Sequence, residues 1–244
     1  MKVMIFANRV TKEIVRDPVA LFFGIVFPIV LLFLLSIINK NVPVEIYNIS
    51  SLTPGIAVFS LSFMALFAAQ IVSKDRSSSF LARLYTTPIQ SRDFILGYTL
   101  PLIIISIVQS IVCFVFAIIL GLKFTTTIFV TILLLLPMAI IFISIGLIVG
   151  TLLSEKAATA ICGAGLTNVS AWLSGAWFSL DLVGGAFKDV AYMLPFAHGV
   201  DLAKAVLKGQ YDAMYSHLWW VLGYSIVLSF IAIIVFRLKM RELQ

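Results

Sequence analysis

Few side chains in this sequence have the type and spacing to do chemistry. His198 and His217 are the only two histidines, and neither is accompanied by paired ligands, which argues against a metal site. Cys113 and Cys162 fall inside long apolar runs and read as small packing residues that say nothing of redox compartment. A Ser-His-Asp arrangement, a cysteine nucleophile, an H-E-x-x-H motif and a Gly-x-x-x-x-Gly-Lys-[Ser/Thr] phosphate loop are all missing. The chain is therefore not expected to be an enzyme by itself, nor to bind ATP in the usual way. What remains is recognition. Lys74 to Asp93 is a polar interruption between two apolar runs, carrying Lys74, Arg76, Arg83 and Arg92. Within it Phe80, Leu81, Leu84 and Tyr85 share one face of a helix, with Ala82, Arg83 and Thr86 opposite. Asp75 and Ser77 to Ser79 can cap its start, and Thr87, forced out of helical geometry by Pro88, ends it. The expected product is a short amphipathic helix over about 78–87, too short to span a membrane and with something to dock against.

Composition sets the elements that must hold these residues. Of 244 residues, 61% are hydrophobic and 11% charged, with mean hydropathy +1.12; a soluble domain carries about 25% charged residues. The chain reads as a single all-α integral membrane domain, 1–244. A bilayer core of roughly 30 Å takes about 20 apolar residues per helix, and the apolar runs predict six spans at about 19–38, 55–73, 94–120, 126–153, 157–180 and 217–236. The first run is long for a signal peptide and lacks a small-x-small cleavage site, so it reads as a retained span. No span has a charge near its middle, which lowers the case for a proton relay or ion-coupled transporter. Of seventeen basic residues, twelve fall at one side of these spans, including Arg9, Lys74, Arg76, Lys156 and Arg237. Both termini and the Lys74–Asp93 loop are thereby expected to be cytoplasmic. The net charge of +6 reads as this positive-inside bias and as affinity for anionic lipid, not for nucleic acid.

Along the chain, residues 2–17 form an amphipathic approach, with Val3, Phe6, Ala7, Val10 and Ile14 on one face, expected to lie in the interface with its basic residues toward headgroups. Asp17-Pro18 starts the first span. Gly24 precedes Pro28, and Gly97 precedes Pro101, by four residues, the spacing at which the ring crowds a carbonyl and a bend becomes plausible. Residues 39–54 are expected as an outer loop bracketed by Pro43 and Pro54, and Gly146-x-x-x-Gly150 offers a face for close helix packing. In the fifth span Ala157, Ala160, Ala164, Asn168, Ala171 and Gly175 make a stripe of small residues at steps of three and four, with one amide near the midplane. Two readings stand: packing within the subunit, or a subunit interface or wall of a transport path. Residues 182–208 form an outer segment too short and broken to cross, a re-entrant hairpin before the last span, with Asp201–Lys208 as a small surface helix. Trp172, Trp177, Trp219 and Trp220 gather near this boundary as an aromatic belt.

In this order the parts resemble the permease subunit of a type-2 ATP-binding-cassette (ABC) transporter. The features that carry the resemblance are the amphipathic Lys2–Arg16 segment, six spans with both ends inside, and the Lys74–Asp93 loop with Leu81-x-x-Leu84 and Thr87-Pro88. The broken hairpin with Pro195 before the last span also fits. The resemblance covers nearly the whole chain. It implies that two permeases, copies or paralogues, pair in a bacterial or archaeal plasma membrane. It implies a separate ATPase subunit that binds ATP and magnesium, the chain itself holding no cofactor. The helix at about 78–87, with Phe80, Leu81, Arg83, Leu84 and Tyr85, would be the coupling helix seated in that ATPase. The loop has Asp75-Arg76-Ser77-Ser78-Ser79 where the family's common pattern is acidic with Gly-Thr. Most members are exporters.

The leading expectation is thus an ATP-driven export permease. The absence of charge in the spans points to an amphipathic or hydrophobic cargo: a drug, antibiotic, peptide or lipid-like molecule. Aromatic residues near an exit can also stack on sugars, so a surface polysaccharide is the alternative cargo. A sensory or scaffolding subunit that moves nothing is the competing class.

Overall fold

The computed structural model describes residues 2–41, 48–78 and 91–241. The expected coupling helix, with Phe80, Leu81, Arg83, Leu84 and Tyr85, lies outside the described residues. All regular structure among them is helical. The first helix, α1 (Lys2–Val15), buries Phe6, Ala7, Val10 and Ile14, the face expected from their spacing. That face packs on protein, where lipid was expected. The Phe6 ring meets Phe94 and Tyr98 edge-on at 5.5 and 4.9 Å. Gly97 is the reason the ring fits, because a Cβ there would stand 2.2 Å from Phe6 Cδ1. Asp17 then caps α2 (Pro18–Leu21) by accepting from the Val19 and Ala20 amides, with Pro18 in the first turn, where its missing N–H costs little.

The first span runs from α2 through a π-helical turn at Phe22–Val26 into α3 (Phe27–Asn41). Pro28 has no N–H for the Gly24 carbonyl, and the Phe27 amide reaches back to the Phe22 carbonyl across a widened turn, the device that absorbs a proline in a membrane helix. The second span, α4 (Ile49–Leu61) and α5 (Phe63–Ser77), is the axis of the domain. Its apolar stretch is 94% buried, against 22% for the first and last spans. It starts earlier than expected: Pro54 lies inside α4, and α3 runs to Asn41, so both ends of the expected loop 39–54 are helical. The third span is α6 (Ser91–Ile119), a single helix through Gly97 and Pro101. The fourth, α7 (Thr127–Leu134) and α8 (Leu136–Leu152), lays Gly146 and Gly150 on the axis. A Cβ would come within 2.3 Å of the Ala65 carbonyl at Gly146 and 2.6 Å of the Ala69 carbonyl at Gly150. The Gly-x-x-x-Gly pair thus meets a matching small face, Ala65, Ala68 and Ala69, as close packing in a membrane requires.

Beyond the fourth span the expected order changes. The expected fifth span, 157–180, is helical only from Glu155 to Leu173: α9 (Glu155–Thr159), a π-helical stretch Ala160–Leu166, and α10 (Thr167–Leu173). At about 1.5 Å per residue its length approaches a bilayer core. With Glu155-Lys156 at its start and several Gly, Thr, Ser and Asn residues along it, it is not one of the five helices among the described residues that are long and apolar enough to cross, Pro18–Asn41, Ile49–Ser77, Asp93–Ile119, Thr127–Leu152 and Tyr211–Lys239. After a short turn helix, α11 (Leu180–Val183), come α12 (Gly185–Met193) and α13 (Pro195–Leu207), bent by 83° and making a sixth crossing if counted together. The expected broken hairpin is therefore present, but α13 is no surface helix. Phe196, Ala197, Gly199, Val200, Leu202, Ala203 and Val206 are all buried. Phe196 stacks on Phe142 at 5.5 Å, and Gly199 admits Met138, whose Sδ would lie 2.7 Å from a Cβ. The last helix, α14 (Tyr211–Arg241), closes the bundle against α8 and α13.

Candidate functional site

At the end of the bundle that carries most of the basic residues, a buried carboxylate ties three helices together. Asp75, in the last turn of α5, has a side chain only 2% exposed. It accepts from both terminal nitrogens of Arg9 on α1, at 2.7 and 2.5 Å, and from the Tyr98 hydroxyl on α6 at 2.8 Å. The hydrogen bond and charge of Asp75 push the Arg9 guanidinium's pKa further above its ordinary value, against the desolvation that lowers it. Glu13 extends the clamp, accepting from Arg9 at 3.1 Å and Lys74 at 2.7 Å. Arg76 donates to the carbonyls of Thr151 and Leu153 at the end of α8, supplying the cation that a helix C-terminus attracts. Asp75, read from the sequence as one residue able to cap the helix at about 78–87, is bound to Arg9 and Tyr98, and the helix it would cap lies outside the described residues. A cavity of about 870 Å³ opens beside the clamp, with Lys12, Arg16, Glu13 and Glu155 on its wall.

Midway along the first two spans lies a second feature, a cleft of about 420 Å³. One wall is a phenylalanine cluster. Phe23 stacks on Phe63 at 5.2 Å, Phe27 meets Phe63 edge-on at 5.8 Å, and Phe59 meets Trp177 edge-on at 5.3 Å. The opposite wall is Gly163, Thr167, Asn168 and Ala171, with Trp172 and Phe178 at one end. Trp177 Nε1 is buried without a hydrogen-bond partner, a donor left open in a largely apolar cleft. The Phe23/Phe27 and Phe59/Phe63 pairs went unnoticed in the sequence, although their four-residue spacing puts each pair on one helix face.

The small-residue stripe divides. Its middle members, at steps of four, stay on one side of the helix, and only its ends leave it. Ala160, Ala164 and Asn168 are exposed, Ala171 is half-buried, and Gly175 lies beyond the helix in a turn with φ +68°. The side that packs on the second span is instead Ala158, Cys162, Thr167 and Ser170. Asn168 donates to the Ala164 carbonyl of its own helix at 2.7 Å. The belt is also divided: Trp172, Trp219 and Trp220 are exposed, Trp220 with one ring face against His198, whereas Trp177 turns inward. His198 and His217, expected without a paired ligand, face each other with Nδ1 atoms 2.9 Å apart.

The family model of the ABC-2 type transporter matches residues 1–208. The chain belongs to this family. It is a multi-pass membrane protein and the permease part of an ABC transporter, a part that lacks ATPase motifs and works with an ATP-binding subunit. The match takes in the clamp, the cleft and the hairpin. A comparison with curated proteins found no match. In this ABC-2 permease the clamp stands directly before the segment between the second and third spans, the position in the chain expected to meet the ATP-binding subunit.

Proposed function

We propose that the chain is the membrane subunit of an ATP-driven exporter for an amphipathic or hydrophobic cargo, such as a drug, antibiotic, peptide or lipid-like molecule. The observation that carries this reading is the aromatic cleft between Phe27, Phe63 and Trp177 on one side and Asn168 and Ala171 on the other. Aromatic and small walls with few polar atoms suit a flat apolar body bearing one or two hydrogen-bonding groups. In this reading both ends lie in the cytoplasm of a bacterial or archaeal cell, with anionic lipid at Lys12 and Arg16. A second permease, copy or paralogue, covers the exposed Ala160 and Ala164. Phe80, Leu81, Leu84 and Tyr85 seat in a groove of a separate ATPase, with Arg83 at the rim, and that partner holds ATP and magnesium.

The test is ATPase stimulation of the reconstituted complex across amphipathic drugs, peptides, lipid-like amphiphiles and surface-polysaccharide precursors. An amphipathic member should stimulate, and Phe27→Ala should raise its half-maximal concentration about tenfold, the scale of one lost aromatic contact. Stimulation by glycan precursors alone would replace this reading with polysaccharide export. Neither stimulation nor transport by any member would favour a sensory or scaffolding subunit.

A further inference from the structure

The corner between α12 and α13 is held by side chains that the export reading does not use. His198, in the first turns of α13, places Nε2 3.0 Å from the Tyr192 carbonyl and Nδ1 2.9 Å from His217 Nδ1 on α14. Its ring lies parallel to Trp220, 6° apart at 5.0 Å. Tyr224 of α14 donates to the Met193 carbonyl at 2.5 Å, one residue further along the corner. The bent hairpin is thus strapped to the last span at two adjacent points.

The partners decide where the protons sit. A carbonyl has no hydrogen to give, so His198 Nε2 carries the N–H and neutral His198 offers a lone pair at Nδ1. His217 must then be the donor, through Nδ1–H. A first added proton goes to His217 Nε2, leaves this bond in place and makes it charge-assisted. A second proton has only His198 Nδ1 to occupy. It removes the acceptor and sets two cationic rings N–H against N–H. Asp201 is the nearby carboxylate that favours a proton on His198, and it is already engaged. Asp201 of α13 accepts from Tyr192 of α12 at 2.7 Å, Asp181 pairs with Lys188, and Lys204 lies one turn beyond Asp201. On α14, Tyr211, Asp212 and Tyr215 are exposed. Asp189 of α12 is exposed, and the packed helices α4, α7, α8 and α10 contribute no titratable side chain; α6, which packs on α14, carries the buried Cys113, and its Asp93 and Tyr98 lie toward Phe236 at the other end of α14. We propose that His198 and His217 form a two-proton latch that holds the hairpin on the last span with zero or one proton and releases it with two. That the latch faces the cell exterior rests on the orientation proposed above; the latch itself does not.

Because the chain has two histidines, ¹⁵N-histidine labelling of the whole protein in nanodiscs reports this pair alone. Its ring nitrogens are followed from about pH 8 to 4.5, through and below the ordinary imidazole range, alongside amide hydrogen exchange of 185–207. His217 should protonate first, with the two steps more than about one pH unit apart. Exchange across 185–207, corrected for its intrinsic pH dependence, should rise about tenfold only at the second step. His217→Gln, whose amide can still donate to His198, should lose most of that rise. Four results overturn the latch: His198 protonating first, two equal and independent titrations, a second step without faster exchange, or His198 neutral throughout. If the variant does not fold, the wild-type titration still decides. None of these readouts needs cargo or ATPase, so failure of the export reading would leave them untouched.

Discussion

Replacing Asp75 by Asn keeps the side chain's size and removes the charge that joins α1, α5 and α6. The carboxylate accepts two hydrogen bonds from Arg9 and one from Tyr98, and bonds to a charged group contribute about 1.5–3 kcal/mol each. Two terms reduce the sum. Burying the carboxylate costs several kcal/mol of hydration, and the Arg9 side chain is 35% exposed, so it recovers water when its partner is lost. A net loss of about 2–3 kcal/mol remains, on the order of 30- to 150-fold in the docking of α1. Hydrogen exchange of the α1 amides in nanodiscs measures it, in a cycle with Arg9→Gln and the double variant. The coupling between Asp75 and Arg9 should exceed about 1 kcal/mol. If the two single effects add within about 0.5 kcal/mol, the usual error for independent sites, the clamp is not what holds α1.

Gly146→Leu puts a side chain where a Cβ already lies 2.3 Å from the Ala65 carbonyl. Backbone cannot swing aside, so thermal unfolding should show a loss at the upper end of the 1–3 kcal/mol typical of overpacking, or about more; an unchanged transition would mean that the helices are not in this contact. Ala164→Leu, on the exposed side of the 155–173 helix, should reduce permease pairing in cross-linking, whereas the same substitution at exposed Val115 of α6 should not; equal tolerance at both would leave Ala164 facing lipid. Leu84→Asp should leave the permease in the membrane and cost at least about tenfold in co-purifying ATPase, and normal recovery of the ATPase would remove the coupling role. In intact cells an impermeant thiol reagent should label Asn48→Cys and Lys208→Cys but not Ser78→Cys or Glu155→Cys, and labelling at Ser78 would reverse the orientation.

What the sequence determined by itself was whatever depends on local composition and period. Runs of apolar residues longer than a bilayer core must become helices, because unpaired backbone cannot remain in lipid. Phe6, Val10 and Ile14 had to share a face, and Gly146 with Gly150 had to offer a place for another backbone. The broken hairpin was legible from Pro195, whose conformational demands are local. The 155–173 helix shows the limit. Its small residues fall on more than one face, and only the packing decides that Ala158 and Cys162 are buried against the second span while Ala160 and Ala164 stay exposed. Asp75 shows it again: beside a serine run it reads as a cap, and only Arg9, sixty-six residues away in the chain, makes it a clamp. His198 and His217 looked isolated for the same reason. Which helix is buried, which phenylalanines face a common cleft and which charges meet are properties of pairs distant in the chain. Their partners are set by how the helices pack, which no local period encodes.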